Sequence, residues 1–172
     1  GTGSAAYSGD GGPAVSAGLN HPIALAFDAA GNLAIADSGN QRIREIDTNE
    51  IINTVAGKAG SGFGGDGGSA TNATLNSPFG VAFDATTNFF VADNVNARIR
   101  KVTNGIITTV AGNGSSSYAG DGKLATSASL SGPRGLVVDR VGNLFIADSL
   151  NNRIRKVDTN GIITTAVGTG ST

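Results

Sequence analysis

The chain has 172 residues, of which 27 are Gly and 15% are charged, and it carries a net charge of −1. That balance argues against a basic nucleic-acid-binding face, so no DNA partner is expected and RNA is disfavoured. No apolar run is long enough for a membrane span, no basic-then-apolar leader opens the chain, and the lack of Cys excludes disulfides, thiolate metal sites and Cys nucleophiles together. Met is absent too, even at position 1, so the sequence reads as processed, trimmed or excised from something longer.

The first element signal is the Gly-rich segment from Tyr7 to Gly12, with a single helical turn expected near Pro13-Ala14-Val15. An apolar strand then ends at Asp28, and a second ends at Ala36-Asp37. A third begins after Asn40-Gln41 with Arg42-Ile43-Arg44, and a fourth begins at Ile51. The same series returns from Phe63 and from Tyr118, 56 and 55 residues further on. Its strand-ending aspartates recur at Asp84 and Asp139, its Ala-Asp pairs at Asp93 and Asp148, and its Ile-Ile strands at Ile106 and Ile162. In the second unit, strands are predicted over 80–83, 89–92, 98–102 and 106–110, with turns at Thr86-Thr87-Asn88 and Thr103-Asn104-Gly105. The Asn-Gly pair is a strong hairpin signal.

Four antiparallel strands spaced about 8 to 12 residues apart make a meander, and no stretch sustains helical periodicity. A meander of about 50 residues in tandem reads as propeller blades. The expected fold is therefore an all-β propeller of four-stranded blades. One domain over residues 1–172 holds three of them, at approximately 7–57, 63–112 and 118–168. The first two strands of each unit are apolar on both faces, as sheets packed between neighbours must be. The fourth alternates with Thr and Asn and reads as an outer strand in water.

The pattern LNxPxGVAFD, NFFVAD, NxRIRKV, NGIITTVAG, in fixed order across all three units, resembles the NHL repeat. The resemblance implies a β-propeller, usually of six blades, and no single activity, since the family includes protein-binding, RNA-binding, sensor and lyase members. Lyases of this fold use His directly after the proline of the motif; Ile23, Phe79 and Arg134 stand there instead, which speaks against that zinc chemistry. Six-bladed lactonases and phosphotriesterases hold calcium in the channel with Asn, Asp and Glu, a part that Asn20 and Asn76 fit, although no acidic residue clearly joins them.

Propellers close with about four to eight blades, so three leave an apolar sheet face uncovered at each end. Gly1-Thr2-Gly3-Ser4 recurs as Gly168-Thr169-Gly170-Ser171, so the chain reads as a whole number of blades. Two copies placed head to tail are expected to close a six-bladed homodimer. Excision from a natural six-bladed chain is the competing reading.

Asp10, Asp66 and Asp121 recur in Gly-Asp-Gly and are expected to accept backbone N–H bonds in a glycine turn; calcium ligation is the alternative. Asp37, Asp93 and Asp148 each precede an arginine by five residues. The pairs with Arg42, Arg98 and Arg153 are expected to be ion pairs that fix the turn, with Asn40, Asn96 and Asn151 in left-handed positions. Tyr7, Phe63 and Tyr118 are expected to pack between blades.

A residue needed in every unit is architectural, so ligand contacts are sought where the units differ. The entry to the first strand reads Asn20-His21-Pro22-Ile23, then Asn76-Ser77-Pro78-Phe79, then Ser131-Gly132-Pro133-Arg134. The candidate contacts at the channel mouth are Asn20, His21, Asn76, Phe79 and Arg134. Arg134 suits an anionic group, and His21, the one His of the chain, suits proton transfer or a metal shared between copies. No nucleophile elbow, paired-His zinc motif or Walker loop is present, so no catalytic residue is assigned. The leading expectation is a non-enzymatic scaffold without a cofactor that assembles with itself and binds a small molecule or peptide. The alternative is a calcium-dependent hydrolase of lactonase or phosphotriesterase type. A surface low in Lys and rich in Ser, Thr and Asn suits a secreted or periplasmic protein.

Overall fold

The structure is a computed structural model that describes residues 1–170, so Ser171 of the recurring terminal motif lies outside the described residues. The fold is all-β, with three antiparallel sheets in succession and only single 3-10 turns beside them. Sheet 1 contains β1 (Gly12–Pro13), β2 (Pro22–Phe27), β3 (Leu33–Asp37), β4 (Arg42–Ile46) and β5 (Ile51–Ala56), in the spatial order β1-β5-β4-β3-β2. Sheet 2 contains β6 (Pro78–Phe83), β7 (Phe89–Asp93), β8 (Arg98–Thr103) and β9 (Ile106–Ala111), in chain order. Sheet 3 contains β10 (Lys123–Leu124), β11 (Pro133–Val138), β12 (Leu144–Asp148), β13 (Arg153–Val157) and β14 (Ile162–Val167), in the order β10-β14-β13-β12-β11. No helix among the described residues is long and apolar enough to cross a membrane.

Local chemistry explains the meanders. Between the first two strands of each sheet an aspartate closes the turn: Asp28 Oδ1 accepts from the N–H groups of Ala30 (2.9 Å) and Asn32 (2.8 Å), and Asp84 and Asp139 do the same in sheets 2 and 3. The predicted Asn-Gly hairpin has Asn104 at φ 51° and Gly105 at φ 76°, both in the region that a two-residue primed turn requires. The helical turn expected near Pro13-Ala14-Val15 is a 3-10 turn at Ala14–Ser16, and the same turn recurs at Ala70–Asn72 and Ala125–Ser127.

The fourth strand is not the outer edge. The Gly-rich loop adds β1 outside β5 and β10 outside β14, and Ser69 bridges Ile106 in sheet 2. The loop thereby occupies backbone groups that an open edge would offer to other chains.

Two cores lie between the sheets. Ala34, Ala36, Ile43 and Ala56 of sheet 1 meet Leu75, Val81, Phe89, Val91, Val102 and Ile107 of sheet 2. Phe90, Ala92, Ile99 and Ala111, on the opposite face of sheet 2, meet Leu130, Leu144, Ile146, Val157 and Ile163 of sheet 3. A face rich in alanine thus packs on a face of larger residues, and this happens twice. Both outermost faces repeat the pattern. Sheet 1 turns Ile35, Ile52, Leu33 and Ile46 away from sheet 2, with Leu25 64% and Phe27 69% exposed beside them; we call this the head face. Sheet 3 turns Phe145, Ala147 and Ile154 outward with Val137 (59% exposed) and Val167 (63% exposed); this is the tail face. By position in the repeat, the tail face corresponds to Ala34, Ala36, Ile43 and Ala56, and the head face to Phe89, Val91, Val102 and Ile107.

The edges β2, β6 and β11 run side by side and form the inner rim. Their approach is close: a Cβ on Gly80 would fall 2.0 Å from the Arg134 carbonyl oxygen.

Candidate functional site

The repeated polar residues build one network per sheet. β4 carries Arg42 and Arg44 two residues apart, hence on one face of the strand. Arg44, Arg100 and Arg155 are completely buried, and each bridges two aspartates. Arg44 lies 2.6 Å from Asp10 and 3.6 Å from Asp37, Arg100 lies 2.6 Å from Asp66 and 3.2 Å from Asp93, and Arg155 lies 2.7 Å from Asp121 and 3.3 Å from Asp148.

The ion pairs of Asp37, Asp93 and Asp148 therefore run to the second arginine of the motif and not to Arg42, Arg98 or Arg153. Asp37 and Arg42 are opposed in the ladder, but Arg42 turns away from that carboxylate, donates to the Asn40 carbonyl and lies 3.7 Å from the centre of the Tyr7 ring. Arg98 on Phe63 and Arg153 on Tyr118 repeat this at 3.8 and 3.7 Å. Each of the three half-exposed rings thus stacks on the first arginine of its own sheet's motif, with the buried second arginine 4.9–5.0 Å from the ring centre. Asn40, Asn96 and Asn151 are not the left-handed residues either. That conformation falls on Gln41, Ala97 and Asn152, one residue later, while the three asparagines donate Nδ2 to Asp37, Asp93 and Asp148 at 2.8–2.9 Å.

The Gly-Asp-Gly carboxylates mainly accept from side chains. Asp10 accepts from the Tyr7 hydroxyl at 2.7 Å and from Arg44, and Asp121 from Tyr118 at 3.0 Å and from Arg155. Phe63 has no hydroxyl, and Asp66 accepts from Thr109 instead and takes both Nε and Nη2 of Arg100. The Nε atoms of Arg44 and Arg155, by contrast, have no partner. Partial burial pulls Asp10 upward, but the bonds from Tyr7 and Thr54 and the charge of Arg44 outweigh it, so its pKa lies below the ordinary value. Asp121 is lowered in the same way, against its burial, by Thr165, Tyr118 and Arg155. Asp93 moves the other way: its deep burial raises the pKa more than Asn96, the Asn76 N–H and Arg100 lower it.

The variable residues gather at the inner rim. Each first strand slips register just after its proline: Pro22 pairs with Asp37 but Ala24 with Ala36, and Pro78 with Asp93 but Gly80 with Ala92. Sheet 3 slips likewise between Pro133 and Leu136. A bulge inserts an unpaired residue and re-aims its side chain. Ile23, Phe79 and Arg134 occupy this position, where the repeats differ most in chemistry. Arg134 is exposed, and its guanidinium lies 5.3 Å from the centre of the half-buried Phe79 ring on the adjacent strand.

The other candidates are placed differently. The backbone N–H groups of Asn20 and Asn76 donate to Asp37 and Asp93 at 2.7 Å, which ties each entry loop to its own sheet. His21, at φ 51°, is exposed in a groove of about 350 Å³ with residues 1–5, apart from the Phe79–Arg134 pair. Two rim contacts were not anticipated. Gln41 Oε1 accepts from the Ser77 N–H at 2.6 Å, joining sheets 1 and 2, and Asn94 Nδ2 donates to the Pro133 carbonyl at 2.8 Å, joining sheets 2 and 3. Both stand at positions where the repeats differ, which is the signal that could have found them. Among the described residues, no three His, Asp or Glu side chains are grouped to hold a metal ion.

The family model of the teneurin NHL domain matches residues 58–119 and 114–172. Human Teneurin-1 is 48% identical over 52 residues, which is 30% of this chain and 2% of that protein. Protein SUPPRESSOR OF QUENCHING 1, chloroplastic, of Arabidopsis thaliana is 33% identical over 149 residues, 83% of this chain and 14% of that protein. The chain therefore spans only a small part of these relatives. Among solved structures, a protein of unknown function from Bacteroides thetaiotaomicron superposes with a TM-score of 0.70 at 23% identity, over 82% of this chain and 36% of that one. An auxiliary nutrient binding protein from the same organism superposes at 0.63 with 26% identity, over 83% and 37%. A gluconolactonase from Xanthomonas campestris superposes at 0.57 with 14% identity, over 85% and 46%, a likeness of fold alone. With the family model covering more than half of its length, the chain belongs to the NHL-repeat family of β-propellers.

Proposed function

We propose that the chain is a non-enzymatic binding module. Each sheet is one propeller blade, two copies close a six-bladed ring, and the inner rim takes a small molecule or peptide with an anionic group. One observation carries the assembly: the head and tail faces are the two halves of the interface that already occurs twice inside the chain. Fully burying an apolar side chain such as Leu25, Phe27, Val137 or Val167 is worth about 1.5–3 kcal/mol, and all four are more than half exposed in the single chain. The chain also spans well under half of the propellers from Bacteroides thetaiotaomicron that it superposes on.

The ligand reading rests on Phe79 and Arg134. They are the aromatic and cationic members of the bulge position, and they stand together at the rim. An exposed guanidinium beside a ring face presents charge and a stacking surface to a carboxylate-bearing ligand. The nutrient-binding neighbour supports a binding role for this fold. The aspartates that the calcium alternative would use are engaged by arginines, which supports a structural role for them.

Calorimetric titration with a triglutamate peptide tests the reading. Saturable binding is expected for the wild type, weakened at least about tenfold in Arg134→Ala, since hydrogen bonds to a charged group contribute about 1.5–3 kcal/mol. No binding at millimolar peptide would contradict the rim assignment. Hydrolysis of a γ-lactone that requires calcium and stops on chelation would overturn the non-enzymatic reading.

A further inference from the structure

The position after the buried arginine differs in charge between sheets: Glu45, Lys101 and Lys156. In the ladders these residues pair with Ala34, Phe90 and Phe145, so each stands on the face of its sheet that is turned along the stack. Lys101 shares a cleft of about 370 Å³ with Asp158, Thr159 and Gly161 of sheet 3. Glu45 shares the equivalent cleft of about 420 Å³ with Gly105 of sheet 2. Lys101 itself is paired within sheet 2, its Nζ 3.5 Å from Asp84, while the turn across its cleft carries Asp158 and the turn across from Glu45, Thr103-Asn104-Gly105, carries no charge.

Lys156 holds the same position on the tail face, over the Phe145 ring at 5.9 Å, with no ion pair within 4.0 Å among the described residues. The turn on the head face is Asp47-Thr48-Asn49-Glu50, the most acidic of the three. Glu50 stands where the other turns place Gly105 and Gly161, and it keeps their left-handed backbone at φ 64°. A side chain larger than Asn is uncommon in that conformation. Glu50 is exposed and has no ion pair within 4.0 Å among the described residues.

We propose that the joint between two copies is keyed by charge, with Lys156 of each copy seated against Asp47 and Glu50 of the other. This rests on the ring assembly proposed above and adds what recognises the second copy. The key also selects against a wrong order: a tail bearing Glu, as on sheet 1, would place like charges against the head turn, a device that favours one partner by repelling others.

The test is a charge exchange read by light scattering on a sizing column and by sedimentation equilibrium at low salt. Asp47 is left intact because its carboxylate closes its own turn on the N–H groups of Asn49 and Ile51. Lys156→Glu and Glu50→Lys, each checked for an unchanged circular dichroism spectrum, are expected to raise the dimer dissociation constant at least about tenfold, because each places like charges against one another across the joint. The double exchange is expected to restore it. Lys156→Met, which keeps the stem over Phe145 and removes only the charge, is expected to shift it in the same direction by less. A wild-type dimer whose dissociation constant is unmoved by either reversal overturns the key while leaving the ring in place. A wild-type chain that stays monomeric overturns the ring itself. Species that grow past two copies with concentration keep the joint but overturn two-copy closure.

Discussion

At the scale of single residues, repetition marks architecture. Arg44, Arg100 and Arg155 are among the largest fully buried side chains of the protein, and every sheet devotes two aspartates to one of them. Such a network is weak evidence for net stability, because burying the charges offsets much of their attraction, but losing one partner would strand a buried charge at about 3–5 kcal/mol. The motif Arg-Ile-Arg was visible in the sequence, but which arginine turns inward was not. Five-residue spacing pointed to Arg42, whereas the reach of a long side chain past its opposed neighbour favours Arg44. Glu45 is a contrasting case. Its burial, together with the negative charges of Asp28 and Asp47, raises its pKa. A raised folded-state pKa favours the protonated form, so its contribution is present below the unfolded value and is lost as pH rises through the folded one. Glu45→Gln is therefore expected to melt above the wild type at pH 7, with the gap closing as the pH falls below the unfolded-state value and the wild-type side chain takes up its proton. An equal or lower melting temperature at pH 7, followed by circular dichroism, would contradict this. Asp28, Asp84 and Asp139 act in the opposite sense. Burial pulls the pKa values of Asp28 and Asp84 upward, but the turn hydrogen bonds outweigh it and lower them, as the Asn143 side chain and the turn N–H groups lower that of Asp139, and the stability the three contribute is lost as pH falls through the lowered values.

At the scale of elements, nearly every strand was legible, because alternation, the Thr86-Thr87-Asn88 turn and the Asn-Gly pair are local signals. The predicted 89–92 strand appears as Phe89–Asp93 and the 106–110 strand as Ile106–Ala111. What local signals do not carry is pairing at a distance. The Gly-rich loop adds a short strand outside β5 and β14, so the fourth strand is covered, and the bulges after Pro22, Pro78 and Pro133 emerge only from register. The rim strands meet closely at Gly80. Gly80→Ala would drive a Cβ into the Arg134 carbonyl and force β6 and β11 apart. Overpacking of this kind costs about 1–3 kcal/mol, which for a chain of this size lowers the melting temperature by roughly 2–4 °C per kcal/mol. A variant as stable as the wild type would mean that the inner strands are not tightly apposed.

At the scale of the whole molecule, the candidate site was half legible. Phe79 and Arg134 were found because the repeats differ there, and the structure brings them together. His21, found by the same signal, faces a separate groove, and the cross-sheet bonds of Gln41 and Asn94 depend on how neighbouring sheets seat. The open faces follow the same logic. Sheet 2 is covered on both sides by its neighbours, and the head and tail faces present the matching halves of that packing to solvent. The central claim is that a second copy covers them. Sizing chromatography with light scattering on the isolated chain tests it most directly. The account predicts about 34 kDa, twice the 17.0 kDa of one chain, independent of dilution over the micromolar range. A stable species of 17.0 kDa that leaves Leu25, Phe27, Val137 and Val167 in water would contradict it.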